Sequence, residues 1–333
     1  MIDTVALLLA DRSPSLRFRA LVEVDGVPPG DPEVDALAAQ IGSSGEVERI
    51  VASTAPDLVQ LSFALCRLDF LGFTRGHPAV DELAERIFAK QKKDGSWPAE
   101  WWGSADRKSK VPTDEGYQWR PLQVALPLRG LATVGYATDP RAERAYEWLL
   151  AHRFEDGSWP YGQAGVQKAG NVVGYRRLPR SEGCRATTTG ALACLARHPE
   201  RRTSDDARRA MDLLLQRETR EEWALGAEVA RLAGAERARG FATFYARHDL
   251  AFMLDLSSRV GVSKDDARVA DLVTFLDSRR SAHGLWDHPT HPQLTRWLTL
   301  DILSSLKRLE SGDFVGRDLR AQFRPYPKKR RRY

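Results

Sequence analysis

Four arginines recur at comparable places in this chain of 333 residues: Arg120 after Tyr117-Gln118-Trp119, Arg185 after Cys184, Arg247 after Phe244-Tyr245-Ala246, and Arg296 before Trp297. A guanidinium is a planar fork of donors that matches phosphate or diphosphate bidentately, so arginines converging from several repeats would form one anion site. The local alternative is that each pairs with a nearby acid such as Asp114, Glu115, Glu182, Asp249 or Asp287. Aromatic residues accompany the arginines, namely Tyr117, Trp119, Phe241, Phe244, Tyr245 and Trp297. Their faces suit a cationic or apolar ligand, and equally the plain packing of helix ends.

A repeat would position these groups. Asp94-Gly95-Ser96-Trp97 is written again as Asp156-Gly157-Ser158-Trp159, and carrying the tryptophan forward finds Trp223 and Trp286, at spacings of 62, 64 and 63 residues (97→159→223→286). A period of this size signals a repeat architecture. Upstream of each tryptophan lies an amphipathic helix, with cap chemistry at His77-Pro78, Asp139-Pro140, Ser204-Asp205-Asp206 and Ser263 to Asp266. A short polar side chain accepts from the free amides there, and proline fits the first turn. Downstream lies a more apolar helix, as in 122–134, 186–196 and 249–260. The pattern predicts an inner layer of apolar helices covered by an outer amphipathic one, with the arginines at the starts of the inner helices, where free amides favour an anion.

Gln91-Lys92-Lys93-Asp94-Gly95-Ser96-Trp97 resembles the QW-type signature of squalene-hopene and related terpenoid cyclases, whose repeat is shared by protein prenyltransferase β subunits. The likeness covers roughly residues 57–310, with the third and fourth copies decayed. It implies an all-α fold, an α/α toroid in which inner helices surround a central cavity. It does not by itself imply a reaction. With the arginines on a charged head and the aromatics along a chain, the cavity is read as holding an isoprenoid, prenyl diphosphate-like ligand, and the reaction, if the protein is an enzyme, as that of a cyclase, lyase or transferase. A cyclase of the protonating kind uses an Asp-x-Asp-Asp acid. The nearest strings here, Ser204-Asp205-Asp206 and Lys264-Asp265-Asp266, lack the first aspartate and open outer helices. Asp114, Glu115, Glu182 and Asp249 are the carboxylates left for acid–base work. The prenyltransferases hold zinc with an Asp-x-Cys pair and a histidine one repeat on, and the matching positions here are Glu182, Cys184 and His248, with His288 and His291 as rivals.

The rest of the chain frames that core. Residues 1–55 look helical but stand outside the period and are expected to cap the ring, residues 56–312 carry the repeats, and residues 313–333 form a C-terminal extension. The formal charge of +5 is matched by Lys328-Lys329-Arg330-Arg331-Arg332 alone. That tail, with the basic loops 101–112 and 162–179, offers attraction to nucleic acid or an anionic membrane, or is a solvated terminus and surface elaboration. A non-catalytic polyanion-binding toroid and a degenerate scaffold are therefore the alternatives to the isoprenoid reading. Met1 to Ala10 lacks the basic start of a secretion signal, no stretch is long enough to span a bilayer, and three cysteines are an odd number, so a cytoplasmic, reduced protein is expected. P-loop, Rossmann, nucleophile-elbow and His-Glu-x-x-His signatures are missing.

Overall fold

The computed structural model describes residues 3–97, 121–160, 178, 181–216, 223–236, 245 and 247–314. The helices within them are α1 (Thr4–Leu9), α2 (Pro14–Arg19), α3 (Pro32–Gly42), α4 (Glu46–Ser53), α5 (Leu58–Phe70), α6 (Pro78–Phe88), α7 (Pro121–Leu131) and α8 (Pro140–Ala151). They continue as α9 (Arg185–Leu195), α10 (Asp205–Leu215), α11 (Ala227–Leu232), α12 (Leu250–Val260), α13 (Ala267–Asp277) and α14 (Thr295–Leu309). Two short strands, β1 (Trp223–Ala224) and β2 (His248–Asp249), pair in parallel. Among the described residues no helix is long and apolar enough to cross a membrane.

From α5 onward the helices alternate between two layers, as the periodicity predicts. Every residue of α7 and of α9 is buried, so these helices have no solvent face. The outer helices bury one stripe only, as in α10, where Ala207, Ala210, Met211, Leu214 and Leu215 face inward. Neighbouring inner helices pack directly, α5 on α7, α7 on α9 and α12 on α14, and α10 spans α9 and α12. The ring closes where the Phe70 and Trp297 rings lie 4.4 Å apart, joining the end of α5 to the start of α14. The result is an α/α toroid with one continuous apolar core, and a smaller cluster of Leu8, Leu16, Ala20 and Leu300 fastens α1 and α2 to α14.

Local chemistry sets the helix starts. His77 and Asp139 each accept an amide at α6 and α8 with proline following, Ser204 caps α10, and Asp266 caps α13. Asp205 and Asp206 are thus first-turn residues that complement the helix dipole and Asp266 is itself a cap, with Asp265 just before it. Each outer helix is also tied to its predecessor by an arginine: Arg141 to Glu85 at 2.8 Å, Arg201 to Glu143 at 2.8 Å, and Arg268 to Asp212 at 2.6 Å.

The Asp-Gly-Ser-Trp loops are built alike. Trp97 and Trp159 are fully buried, and each indole Nε1 donates to the carbonyl ten residues earlier, Ile87 at 2.9 Å and Leu149 at 2.7 Å. Trp286 repeats the bond to Leu276 at 2.7 Å. Asp94 and Asp156 each accept from the amide two residues on, holding the turn. Gly95 and Gly157 adopt φ of 91° and 90°, and an added Cβ would lie 2.4 Å from the Arg144 carbonyl oxygen of α8 or 2.6 Å from Arg209 Cβ of α10. Each glycine therefore lets its loop press on the next outer helix. Gln91 reinforces the first contact by donating from Nε2 to both Gly95 O and Arg141 O, at 2.9 and 3.0 Å. Trp223 stands apart: it is half-buried in β1, edge-on to Phe275 at 5.3 Å.

Candidate ligand chamber

The ring encloses a chamber of about 530 Å³ at the C-terminal ends of the inner helices. Phe70, Thr133, Arg197, Arg259 and Arg308 come to it from successive inner helices or the turns that follow them. Across the ring lies α11, a six-residue helix buried from Ala227 to Arg231, which contributes Glu228, Val229 and Leu232 to the chamber wall. Asp249 fixes its start by accepting from the Gly226 and Glu228 amides at 3.0 and 2.7 Å, and also from Ala251 N at 3.2 Å.

A belt of polar side chains girdles the chamber. The Thr133 hydroxyl donates to Asp69 Oδ2 at 2.7 Å, and Arg197 Nε donates to that hydroxyl at 3.0 Å. These three residues occupy equivalent places in successive repeats, 64 positions apart (69→133→197). Asp255 comes next, accepting from Arg259 Nε at 2.8 Å and Arg308 Nη2 at 2.7 Å, with Arg197 Nη2 at 3.9 Å. Arg19 completes the belt, reaching Glu23 at 2.6 Å, Asp301 at 2.9 Å and the Phe70 carbonyl at 3.5 Å.

Burial and pairing split the chamber acids. Burial alone would raise the Asp255 carboxyl, but the charges of Arg259, Arg308 and Arg197 outweigh it and hold the group well below the usual range. Glu23 follows the same logic: burial opposes ionisation, yet Arg19 brings it down to about 2. Asp301 goes the other way, pushed up to about 6 by burial against the pull of Arg19, with the Asp255 and Glu23 charges adding to the rise. Burial likewise raises Asp69 and Asp249, against Arg197 in the first case and backbone hydrogen bonds in the second.

At the centre Arg129 of α7 bonds to Glu228 of α11 and donates to the Tyr245 hydroxyl at 2.8 Å. Glu228 also accepts from Arg231 at 3.0 Å. The Arg129 guanidinium lies 5.5 Å from the Tyr245 ring centroid and 4.9 Å from that of Phe252. The protein's own cation thus occupies the aromatic faces that would serve a cationic ligand.

Most residues singled out in the sequence stand elsewhere. Asp249 lines the chamber. Arg185 is buried at the start of α9 and does not line it. Arg247 pairs with Glu236 at 3.1 Å and Arg296 with Asp11 at 2.9 Å, so the structure does not gather the described arginines of that set on one ligand. The physical reason is the local one, a nearby carboxylate, although Asp11 comes from the N-terminal segment and not from the repeat. Tyr245 is buried against Arg129 and Trp297 packs on Phe70. For zinc, Cys184 is buried while Glu182 is exposed, and His248 is held in β2. His288 instead donates to Gly226 O at 2.9 Å, and His291 lies 3.6 Å from Glu236. Among the described residues no three His, Cys, Asp or Glu side chains form a group that could hold a metal ion. Asp114, Glu115, Tyr117, Trp119, Arg120, Phe241 and Phe244, with the basic loop residues 101–112 and 168–177 and the tail 328–332, lie outside the described residues.

No family model matches the chain, and no curated protein does. Solved structures similar to it include two variants of the type II terpene cyclase MstE from Scytonema, each in complex with its substrate geranylgeranyl dihydroxybenzoate. The first shares 13% identity at a TM-score of 0.46, over 83% of this chain and 76% of that one. The second shares 14% identity at a TM-score of 0.36, over 83% of this chain and 97% of that one.

Sequence reasoning missed the belt. Asp69, Thr133 and Arg197 have the repeat's own spacing, so aligning the ends of the inner helices, and not only their starts, would have found them. Arg19 and Asp301 carry no such signal, because they meet across 282 residues.

Proposed function

We propose that this protein is a terpenoid-cyclase-like toroid that holds an isoprenoid ligand with an anionic, diphosphate-like head in its central chamber. One observation carries the reading: the chamber is lined both by guanidinium groups, suited to a head, and by Phe70, Val229, Leu232 and Phe252, suited to a chain. Its volume falls within the ~300–1,000 Å³ of ordinary small-molecule sites. If the ligand is turned over, the reaction is a cyclisation, elimination or transfer. Asp249 is then the acid–base candidate among the carboxylates read from the sequence, and Asp69 and Asp301 of the same chamber are further ones, since burial favours the proton on all three.

A second reading, binding without carbocation chemistry, is favoured by Arg129. Its charge already lies over Tyr245 and Phe252, so a carbocation would be opposed there by a like charge.

A thermal-shift series at constant ionic strength tests the proposal with geranylgeranyl diphosphate, inorganic diphosphate and a short DNA duplex. A ligand bound by the native state raises apparent stability by mass action. A rise with the prenyl diphosphate exceeding that with diphosphate supports the isoprenoid reading, and product analysis of the same mixture separates enzyme from binder. A rise with DNA alone, or with none of the three, removes the isoprenoid reading.

A further inference from the structure

From the belt we infer an oxyanion-binding site, for a phosphate, diphosphate or carboxylate group, built by Arg197, Arg202 and Arg259 with Arg308 behind them. It rests on the chamber being a ligand site, as proposed above, but not on the ligand having an isoprenoid chain. All four residues line the chamber, and none is among the arginines at the inner-helix starts.

The ion pairs are shared unevenly. Three guanidiniums, those of Arg197, Arg259 and Arg308, share the single carboxylate of Asp255. The other acids facing the chamber are largely committed. Glu23 and Asp301 serve Arg19, Glu228 serves Arg129 and Arg231, Asp249 accepts backbone amides, and Asp69 accepts from Thr133. Burial holds Arg197 and Arg308 below the ordinary guanidinium range, and the Arg259 charge adds to the depression in both, whereas Arg259 itself is raised because Asp255, Asp69 and Glu23 outweigh its burial. Cations crowded in this way are stabilised by an arriving anion, and Coulomb attraction inside a protein is several times that in water.

The bland account is that arginines near inner-helix ends neutralise helix dipoles, each worth about 0.3–1 kcal/mol. Arg197 does so in part, donating from Nη1 to Ala193 O at 3.3 Å. Arg259 does not. Its Nε is spent on Asp255, while among the described residues neither of its terminal nitrogens has a hydrogen-bond partner. Arg202, exposed at the chamber edge, has no side-chain partner among the described residues either. Two guanidinium forks with free donors therefore line the same chamber, and each fork is of the kind that binds an oxyanion bidentately.

The test is calorimetric titration of the full chain with inorganic diphosphate, against sodium chloride of equal ionic strength, for the parent protein and Arg259→Gln, Arg202→Gln and Arg86→Gln. Arg86 lies on the outer face near Glu82 and serves as control. Saturable binding is expected in the parent and in Arg86→Gln, weakened at least tenfold in Arg259→Gln and severalfold in Arg202→Gln. The inference is overturned if the parent does not bind diphosphate, or if Arg202→Gln and a folded Arg259→Gln both bind it unchanged. Should Arg259→Gln fail to fold, Arg202→Gln decides alone. The two readings fail separately. Diphosphate binding without any response to geranylgeranyl diphosphate removes the isoprenoid chain and keeps this site. Prenyl diphosphate binding that ignores both substitutions keeps the chain and removes the site.

Discussion

The Asp-Gly-Ser-Trp loops and the chamber belt both recur along the ring, but they recur differently. The two loops keep the same four residues and the same bonds, with an indole on a helix carbonyl and a glycine pressed on the next outer helix. The belt keeps its place and changes its residue, running Asp69, Thr133, Arg197 through equivalent positions. Uniformity suits a joint that does the same mechanical job at each step. Divergence at a shared position suits a surface that must be asymmetric to recognise something. The difference predicts that loop variants lose stability while keeping their affinity per folded molecule, and that belt variants lose affinity, with an effect on stability that depends on pH through Asp301 and Glu23.

The largest effect is expected at Trp159. Replacing it by alanine should cost roughly 3–5 kcal/mol in chemical denaturation. Trp223→Ala, in the copy that among the described residues has no indole–carbonyl bond to a helix, should cost clearly less. Equal costs would erase the distinction between intact and decayed joints. Gly157→Ala comes next, because a side chain there meets both a left-handed backbone and Arg209, with about 1–3 kcal/mol from the backbone conformation alone. A near-neutral result would show that the loop gives way.

The belt is probed by pH. Asp301 is raised in the folded protein from the usual carboxylate value to about 6, so the folded state holds its proton more tightly than the unfolded chain. Its contribution to stability is therefore greatest below about pH 4 and declines as pH rises to about 6, by at most about 1.4 kcal/mol per pH unit. Glu23, held at about 2, contributes stability above its ordinary value that is lost as pH falls toward 2. Denaturation curves from pH 3 to 7 should thus show a shallower upper decline in Asp301→Asn, with the share of the likewise raised Asp69 and Asp249 left, and keep their acid limb. An unchanged upper limb would sink the assignment. The smallest effect is expected for Arg86→Gln, within about 0.5 kcal/mol, since it is half-buried at the surface and its 3.8 Å pair is with the exposed Glu82.

Much of the fold was legible in the sequence because it follows from local rules. The cap at Asp139-Pro140 acts within one turn, and the tryptophan period needs only a chain repeating its own phrase. The candidate site was less legible. Looking for cations where helix dipoles favour anions led to Arg247 and Arg296, which have acids within reach at Glu236 and Asp11. The chamber lies toward the opposite ends of the same helices, where arginine first reads as a helix-end residue. Asp249 was found because it combines a carboxylate with an inner-helix start. Its observed bonds to the Gly226, Glu228 and Ala251 amides also make it a structural cap of two helices. Arg129 stood in an apolar stretch without any marker of its partner 99 residues away.

The seal of the ring has a consequence in time. Arg19 clasps Asp301 across 282 residues, and Leu8 and Leu16 rest on Leu300. During synthesis at roughly 5–20 residues per second, the first half of that clasp leaves the ribosome tens of seconds before its counterpart exists. Until α14 emerges, α1 and α2 carry a bare apolar face with nothing native to cover it. The last inner helix is thus the step that ends the chain's exposure to holding chaperones, and a ribosome stalled before it would display a nearly finished hoop with its clasp undone.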